Sequence, residues 1–598
     1  MMLTKMKDIL AVFLASQLEF ENDEIFRLLE LPKDSSHGDL AFPCFAMSKI
    51  LRKSPGVVAT EISEKIKPLL PQEFSNCQAL GGYLNFFYSQ KYWQDLVISV
   101  VETQKNKLGE NLKIGQGKKA IFDYASPNVA KPMSIGHLRS AVIGQSLVNI
   151  FRAMGYETLG INYLGDWGVQ FGKLAWAHLN QNLLNEIARK NESKIIGDGF
   201  KESLWKKLIS DINSKSKDSF DYLYALYVVF HACAEIDDSL DALGREYFLK
   251  LEKKTDPKVE AIWKDFITVS LGEYNRVYQL LNVKHDMLRG ESFHEPQMGA
   301  VINKLKKKGL LKISEGAQIV DLEKFAMAPC LIQKSDGATL YATRDIAAAI
   351  NRHDDLKGDK LIYVVGAEQT LHFKQFFKVL ELMGYEWAKD CTHVPFGLYR
   401  FKDGKMSTRR GNVIFLEDVL DKAIELVKEI IAAKNPELKD AESAAKTVGT
   451  GAVIFNDLMN DRQKNIDFDW DKVLDFNGDT GPYVQYTHAR CCSLLAKWDK
   501  ELPPLKVNEL HESLEKDLLR LLGRFEDALR LAYEQLKPNW IAHYLLELCK
   551  AFNGFYYEHR ILEGEIRLQE ARILLVDCTR ITIKRGLELL GIQAPSAM

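Results

Sequence analysis

Between Ala120 and Asp166 the hydrophobic period of the sequence changes twice, and that change constrains the fold more than any other feature. AIFDYASPN reads as a strand ending in a turn, IGHLRSAVIGQSLVNIFRAMG as an amphipathic helix closed by Gly155, and ETLGINYLGD as a second strand. Strand, loop, helix and strand in that order make a βαβ unit, which requires a parallel sheet. The alternation resumes in LIYVVGAEQ, in a helix from about Phe373 to Met383 and in the strand THVPFGLY. The stretch between, about 174–285, is mostly helical and charged and reads as an insertion. Ahead of the βαβ unit, helical periods and the strand-like GGYLNFFYS suggest a small α+β unit, joined on by the Gly- and Lys-rich linker 105–119. From about Val448 onward the apolar spacing is helical only, as in LRLAYEQL and IAHYLLELCKAF. The expected fold class is therefore an α/β Rossmann-type parallel-sheet domain with a helical insertion, preceded by a small N-terminal α+β domain and followed by an all-α C-terminal domain. The bounds read from the pattern are 1–115, 116–425 and 426–598.

Composition narrows the setting. A chain of 598 residues is too long for one hydrophobic core. No apolar run approaches the ~20 residues of a membrane span, and the amphipathic start has no small-residue cleavage site, so no membrane association and a cytoplasmic location are expected. The nine cysteines never form C-x-x-C, which argues against a disulfide framework or a zinc site; no bound metal is expected. A net charge of −2 speaks against a surface coated in basic residues, yet local basic grooves could still bind phosphates.

Two motifs carry chemistry. SPNVAKPMSIGHLRS (residues 126–140) lies at the strand-to-helix junction, where unpaired N–H groups and the positive end of the helix dipole suit a phosphate. Gly136 allows close approach of a nucleotide, and His137 can donate to phosphate oxygens; the plainer alternative is a helix start with Ser134 as cap and a surface histidine. KMSTRRGN (residues 405–412) supplies Lys405, Arg409 and Arg410 after the turn-forming KDG. Lys405 could reach ATP phosphates as charge develops on a leaving pyrophosphate; alone, the motif could equally be a solvated basic loop.

Together, I-G-H at the first crossover and K-M-S-T-R late in the same domain resemble the HIGH and KMSKS pair of class I aminoacyl-tRNA synthetases. The chain resembles the arginyl-tRNA synthetase family over nearly its whole length. The further blocks that carry this likeness are NYLGDWGVQFG, GESFHE, the D-G-x-x-x-Y-A-T-R-D-I-A-A-A stretch from Asp336, VVGAEQTLHFKQ, HVPFGLYRFKDGKMSTRRGN, DFNGDTGPYVQYTHAR and LLGIQAPSAM. The family usually has His where this chain has Ser134, which implies slower or retuned activation; the lysine of the second motif, missing in some members, is present as Lys405.

The resemblance implies an enzyme that activates L-arginine with ATP and Mg²⁺, with no bound zinc, and transfers it to tRNA(Arg), acting as a monomer without a DNA partner. Catalysis falls to Ser134, Gly136, His137 and Lys405. ATP is bound by His137, Gly366, Glu368, His372, Lys405, Met406, Ser407, Thr408 and Arg409, although His372 could equally be a core histidine. A planar guanidinium with five donors needs carboxylates. Tyr341 and Asp345, at i, i+4 spacing, and Glu291 in the GESFHE turn supply such a pocket, while Asn128 and Gln369 hold the α-amino and carboxylate groups. Such a pocket rejects analogues well, so no editing domain is expected. Tyr483, Tyr486, Arg490 and Met598 are implied at the anticodon, and Asn85 and Gln90 at the tRNA elbow. The rival readings are a cysteinyl- or glutamyl-type synthetase, a catalytically silent tRNA-binding paralogue, and a small-molecule nucleotidyltransferase; a cysteine enzyme would show zinc ligands, and the last would not need the helical C-terminal domain.

Overall fold

The computed structural model describes residues 2–18, 20–32, 34–197, 200–334, 341–400, 415–504 and 508–598. At the N-terminus, β1 (Leu40–Pro43), β2 (Phe74–Leu80) and β3 (Tyr83–Tyr88) form an antiparallel sheet in the order β1-β3-β2. Val58, Ala59, Ile62 and Ile66 recur at helical spacing on Pro55–Ile66 and bury the side of that helix facing the sheet. The segment 105–118, read from sequence as a linker, is docked instead. Leu108 is fully buried, Asn111 N–H bonds to Ala153 O, and Gly115 N–H bonds to Met154 O. Backbone hydrogen bonds to a neighbouring helix leave no mark on the segment's own periodicity.

The central sheet is built from β4 (Lys119–Asp123), β5 (Glu157–Asn162) and β6 (Met287–Leu288). After a separate three-stranded antiparallel sheet of β7 (Leu311–Ser314), β8 (Ala317–Val320) and β9 (Cys330–Gln333), it is completed by β10 (Lys360–Gly366) and β11 (Cys391–Phe396). All its neighbours run parallel in the order β11-β10-β4-β5-β6. Ala120–Asp123 and Leu361–Val364 are buried without alternation, as expected of strands covered by helices on both faces. Among the described residues, six helices from Val169–Leu179 to Pro257–Leu280 lie between β5 and β6. The strand order reverses between β4 and β10, and that reversal opens a crevice at the carboxyl ends of the strands.

Beyond β11, β12 (Tyr399–Arg400) pairs in parallel with β13 (Ile466–Asp467). The remainder is helical, so β13 departs from the helices-only reading; a two-residue strand is too short to show a period. The C-terminal helices share one continuous core with the sheet domain and the N-terminal unit. Arg139, on the crossover helix Ile135–Ala153, is completely buried. Its Nε lies 3.1 Å from Asp457 Oδ2, and its Nη1 donates to the carbonyls of Gly397 (2.9 Å) and Lys464 (2.8 Å). Asp457 also accepts from Tyr399 O–H at 2.8 Å. Removing either partner strands a charge in a dry interior. Arg139→Met or Asp457→Asn is therefore expected to cost about 3–5 kcal/mol in urea unfolding, and the Arg139→Met/Asp457→Leu double variant to cost less than either single one.

Candidate active site

The loop after β4 is held in an unusual shape. Ala125, Ser126 and Ala130 sit at φ of 68°, 25° and 66° without being glycine, a conformation that persists only where its surroundings impose it. Ala125 N–H donates to Ser140 Oγ (2.9 Å), Ser140 O–H donates to Val364 O on β10 (2.6 Å), and Tyr274 O–H reaches Asn128 O (2.6 Å) and Lys131 O (2.8 Å). These bonds fix the loop across the switch point and leave the Asn128 side chain exposed.

At the start of the crossover helix, Ser134 is the N-cap and its backbone N–H donates to His137 Nδ1 at 3.0 Å, with Ser134 Oγ 3.1 Å from the same nitrogen. Nδ1 is thus an acceptor, and a neutral ring carries its proton on Nε2 as a donor. Burial, helped by the nearby Lys131 charge, lowers the His137 pKa to about 4. A Cβ on Gly136 would meet nothing nearer than Ser134 Oγ at 3.5 Å, and one on Gly366 nothing nearer than Glu368 Oε2 at 3.6 Å. Both glycines therefore border open space, on the two sides of the switch point.

Lys405, Met406, Ser407, Thr408 and Arg409 lie outside the described residues. The residues flanking that segment are fixed. Tyr399 and Arg400 pair with β13, while Phe415 forms a β-bridge with Ser134 and Leu416 N–H donates to Met133 O at 2.8 Å. The described residues just after the second motif are thus anchored beside the first.

Next to this edge, the loops after β5 and β6 meet the helix Tyr341–Asp354. Glu291 opens the helix Glu291–Lys307, so the GESFHE turn of the sequence reading is a helix N-terminus capped by Gly290. A side chain on Gly290 would collide with the Asp166 carboxylate. Asp166 in turn accepts from Ser292 N–H (2.8 Å) and Ser292 O–H (2.6 Å). Glu291 lies 3.1 Å from Arg344 Nη1, both mostly buried. Burial pushes the Glu291 carboxyl up to about 7; the Arg344 charge opposes that rise, whereas Asp345 and Asp166 add to it. Asp345 accepts from Tyr163 O–H (3.2 Å) and lies 2.6 Å from His372 Nε2. Asp123 pairs with Arg352 at 2.7 Å. Among the described residues, four carboxyl groups (Asp123, Asp166, Glu291 and Asp345) thus lie around the guanidiniums of Arg344 and Arg352, so the pocket holds more carboxyls than guanidiniums. Tyr341 begins the same helix as Asp345 and is 67% exposed. Glu368 and Gln369 are exposed on the short turn after β10, and His372 packs its ring against Phe373 and Phe376 while facing Asp345.

Sequence reasoning gave no role to Tyr163, Asp166 or Arg344. All three lie in blocks singled out for their resemblance, but nothing in spacing distinguishes a residue that touches a carboxylate from its neighbours.

Away from the crevice, Arg490 lies over the rings of Tyr486 (4.9 Å), Tyr556 (4.8 Å) and Tyr557 (5.8 Å), and Tyr557 is 76% exposed. Tyr556 and Tyr557 extend the expected aromatic face. Tyr483 O–H accepts instead from Asn553 Nδ2 at 3.0 Å, and Met598 O accepts from Asn435 Nδ2 at 3.1 Å while its side chain packs against the core. Asn85 is only 5% exposed on β3, and Gln90 Nε2 donates to Leu510 O in the C-terminal domain. In this structure Asn85 is buried between Leu84 and Phe86 on β3, and Gln90 makes a half-buried interdomain contact.

A parallel sheet with this strand order, a histidine-bearing helix start at its switch point and a helical C-terminal domain together define a class I tRNA synthetase. The family profile described as tRNA synthetases class I (R), catalytic domain, matches residues 97–470, the DALR anticodon binding domain matches 484–598, and the arginyl tRNA synthetase N terminal domain matches 4–88. The chain is 43% identical over 581 residues to the arginine–tRNA ligase of Clostridioides difficile, covering 97% of each chain. It is 41% identical over 594 residues to that of Clostridium botulinum, covering 99% of this chain and 100% of the other. The arginyl-tRNA synthetase structures of Thermus thermophilus (TM-score 0.76, 24% identity, 95% and 96% coverage) and Plasmodium falciparum (0.77, 21%, 99% and 98%) share its fold. The chain belongs to the arginyl-tRNA synthetase family.

His137, with a folded pKa below the 6.5 of a free ring, binds its proton less readily folded than unfolded. Its contribution to stability is complete above that value and is lost as pH falls toward about 4. Ring ¹⁵N shifts should report a neutral, Nε2-protonated His137 down to about pH 5; a ring half-protonated near 6.5 would contradict the burial argument.

Proposed function

We propose that this crevice joins ATP, L-arginine and tRNA(Arg) to give arginyl-tRNA, AMP and pyrophosphate, through the residues described above. The observation that carries the proposal is the surplus of carboxylates, Glu291 and Asp345 foremost, at the same sheet edge as the His137 helix start. A cationic, planar side chain balances that charge, and a pocket built on charged hydrogen bonds rejects neutral isosteres. Asp345 and Glu291 receive the guanidinium, Tyr341 lines the entrance, and Asn128 and Gln369, exposed on the loops after β4 and β10, hold the α-amino and carboxylate groups.

ATP lies along the switch point, with its adenosine against Gly366, Glu368 and His372 and its phosphates at the helix N-terminus, where Gly136 leaves room and His137 Nε2–H donates. Mg²⁺ arrives with ATP. Lys405, with Met406, Ser407, Thr408 and Arg409, closes on the α- and β-phosphates. The arginine carboxylate attacks the α-phosphorus in line, and catalysis is positioning plus stabilisation of the pyrophosphate charge, without a covalent enzyme intermediate.

Residues 1–115 serve as an accessory tRNA-binding unit, 116–425 as the catalytic unit and 426–598 as the anticodon-binding unit. In the last, the Tyr486–Arg490 face offers stacking and cationic contacts to unpaired bases, with Tyr483 and Met598 beside it. We place the enzyme in the cytoplasm as a monomer.

Charging of total tRNA with radiolabelled arginine tests the reading. Wild type is expected to charge arginine and not citrulline, and Lys405→Ala and Asp345→Ala to fall by about 100-fold or more in kcat/KM. Retained tRNA binding without charging of any amino acid would sink it in favour of the silent paralogue.

A further inference from the structure

Arg344 sits beside the proposed arginine site with no assigned part in it. Its side chain is 8% exposed, and among the described residues its one ion pair is the 3.1 Å contact with Glu291. Its Nε is buried with no hydrogen-bond partner among the described residues, and its guanidinium stands 5.8 Å from the Tyr341 ring. A buried, incompletely bonded guanidinium is costly in a purely structural position.

The surroundings explain what it does there. Glu291 is faced by Asp166 from the loop after β5 and by Arg344 and Asp345 from the helix Tyr341–Asp354, while Arg344 also acts on Glu295 of Glu291's own helix. Tyr163 and His372 bond to Asp345, and Arg352, one face further along the same helix, is engaged by Asp123. Among the described residues, Arg344 is therefore the cation paired with the Glu291 carboxylate.

We propose that Arg344 is a positioning residue for arginine recognition: it fixes the Glu291 carboxylate in one orientation and favours its ionised form, so that the incoming guanidinium meets a preset acceptor. This rests on the function proposed above. Burial already holds Glu291 near neutrality. Without the neighbouring positive charge the carboxyl would take up a proton at neutral pH and offer one acceptor fewer.

The test is the pH profile of kcat/KM for arginine in tRNA charging by wild type, Arg344→Gln and Arg344→Lys. For Arg344→Gln, KM for arginine is expected to rise by about tenfold or more at pH 7, with KM for ATP changed by less than about twofold. The acid limb of the profile should move to higher pH, so that much of the loss is recovered at pH 9. Arg344→Lys should restore most of the wild-type value. If Arg344→Gln leaves KM for arginine and the acid limb unchanged, or lowers arginine and ATP use alike at every pH, the proposal is overturned. If wild type itself fails to charge arginine, the proposed function fails instead, and the two failures stay distinct.

Discussion

The buried pair of Arg139 and Asp457 is the constraint on which the rest of the molecule depends. The crossover helix that presents His137 also carries Arg139, two residues further on. Taking both charges out of water costs several kcal/mol per ion, and attraction alone rarely repays it. Here two carbonyls, one just after β11 and one just before β13, accept from Nη1 of the guanidinium, and Tyr399 O–H donates to the Asp457 carboxylate. The pair thereby joins the Rossmann helix, the turn between β11 and β12, and the helix Ala441–Leu458. It ties the helix Ala441–Leu458 to the sheet domain and holds β12 and β13 beside the crossover helix.

The same logic of charge in a dry interior runs through the pocket, with the opposite outcome. At Arg139 the charges balance. Around Glu291 they do not: Asp166 is held by neutral serine donors, and Asp345 by a tyrosine and a histidine. Neutral donors such as the serines and the tyrosine stabilise a carboxylate without cancelling its charge. Carboxyl groups outnumber guanidiniums there, unlike the one-to-one pairing of Arg139 with Asp457.

What was legible in the sequence was whatever repeats along the chain. The alternation of strand and helix around Ala120–Asp166 and Leu361–Tyr399 sufficed for a parallel sheet, because a strand buried on both faces and an amphipathic helix both imprint their period. The cap at Ser134 and the i, i+4 placement of Tyr341 and Asp345 are equally local. The rest is tertiary. The antiparallel β7–β9 sheet is made of four-residue strands with mixed burial, and β13 has two residues. The docking of residues 105–118 is backbone bonding to another helix. Arg139 reads in sequence as one more charged position on an amphipathic helix, although it is fully buried, and Asn85 as a polar strand residue that the sheet then turned inward.

Ser134 joins these threads. The family's usual histidine at this position could only have offered an imidazole nitrogen to the helix start. A serine is among the best N-cap residues, and here its backbone N–H already fills the Nδ1 position of His137. That bond comes from the main chain, so it does not depend on which side chain occupies 134. The tautomer of His137, and with it the direction of its free Nε2–H donor, is therefore set by helix geometry. What the departure from the usual motif changes is the side-chain donor at the edge of the crevice, a hydroxyl in place of an imidazole. The orientation of His137, fixed by the main chain, does not depend on that change.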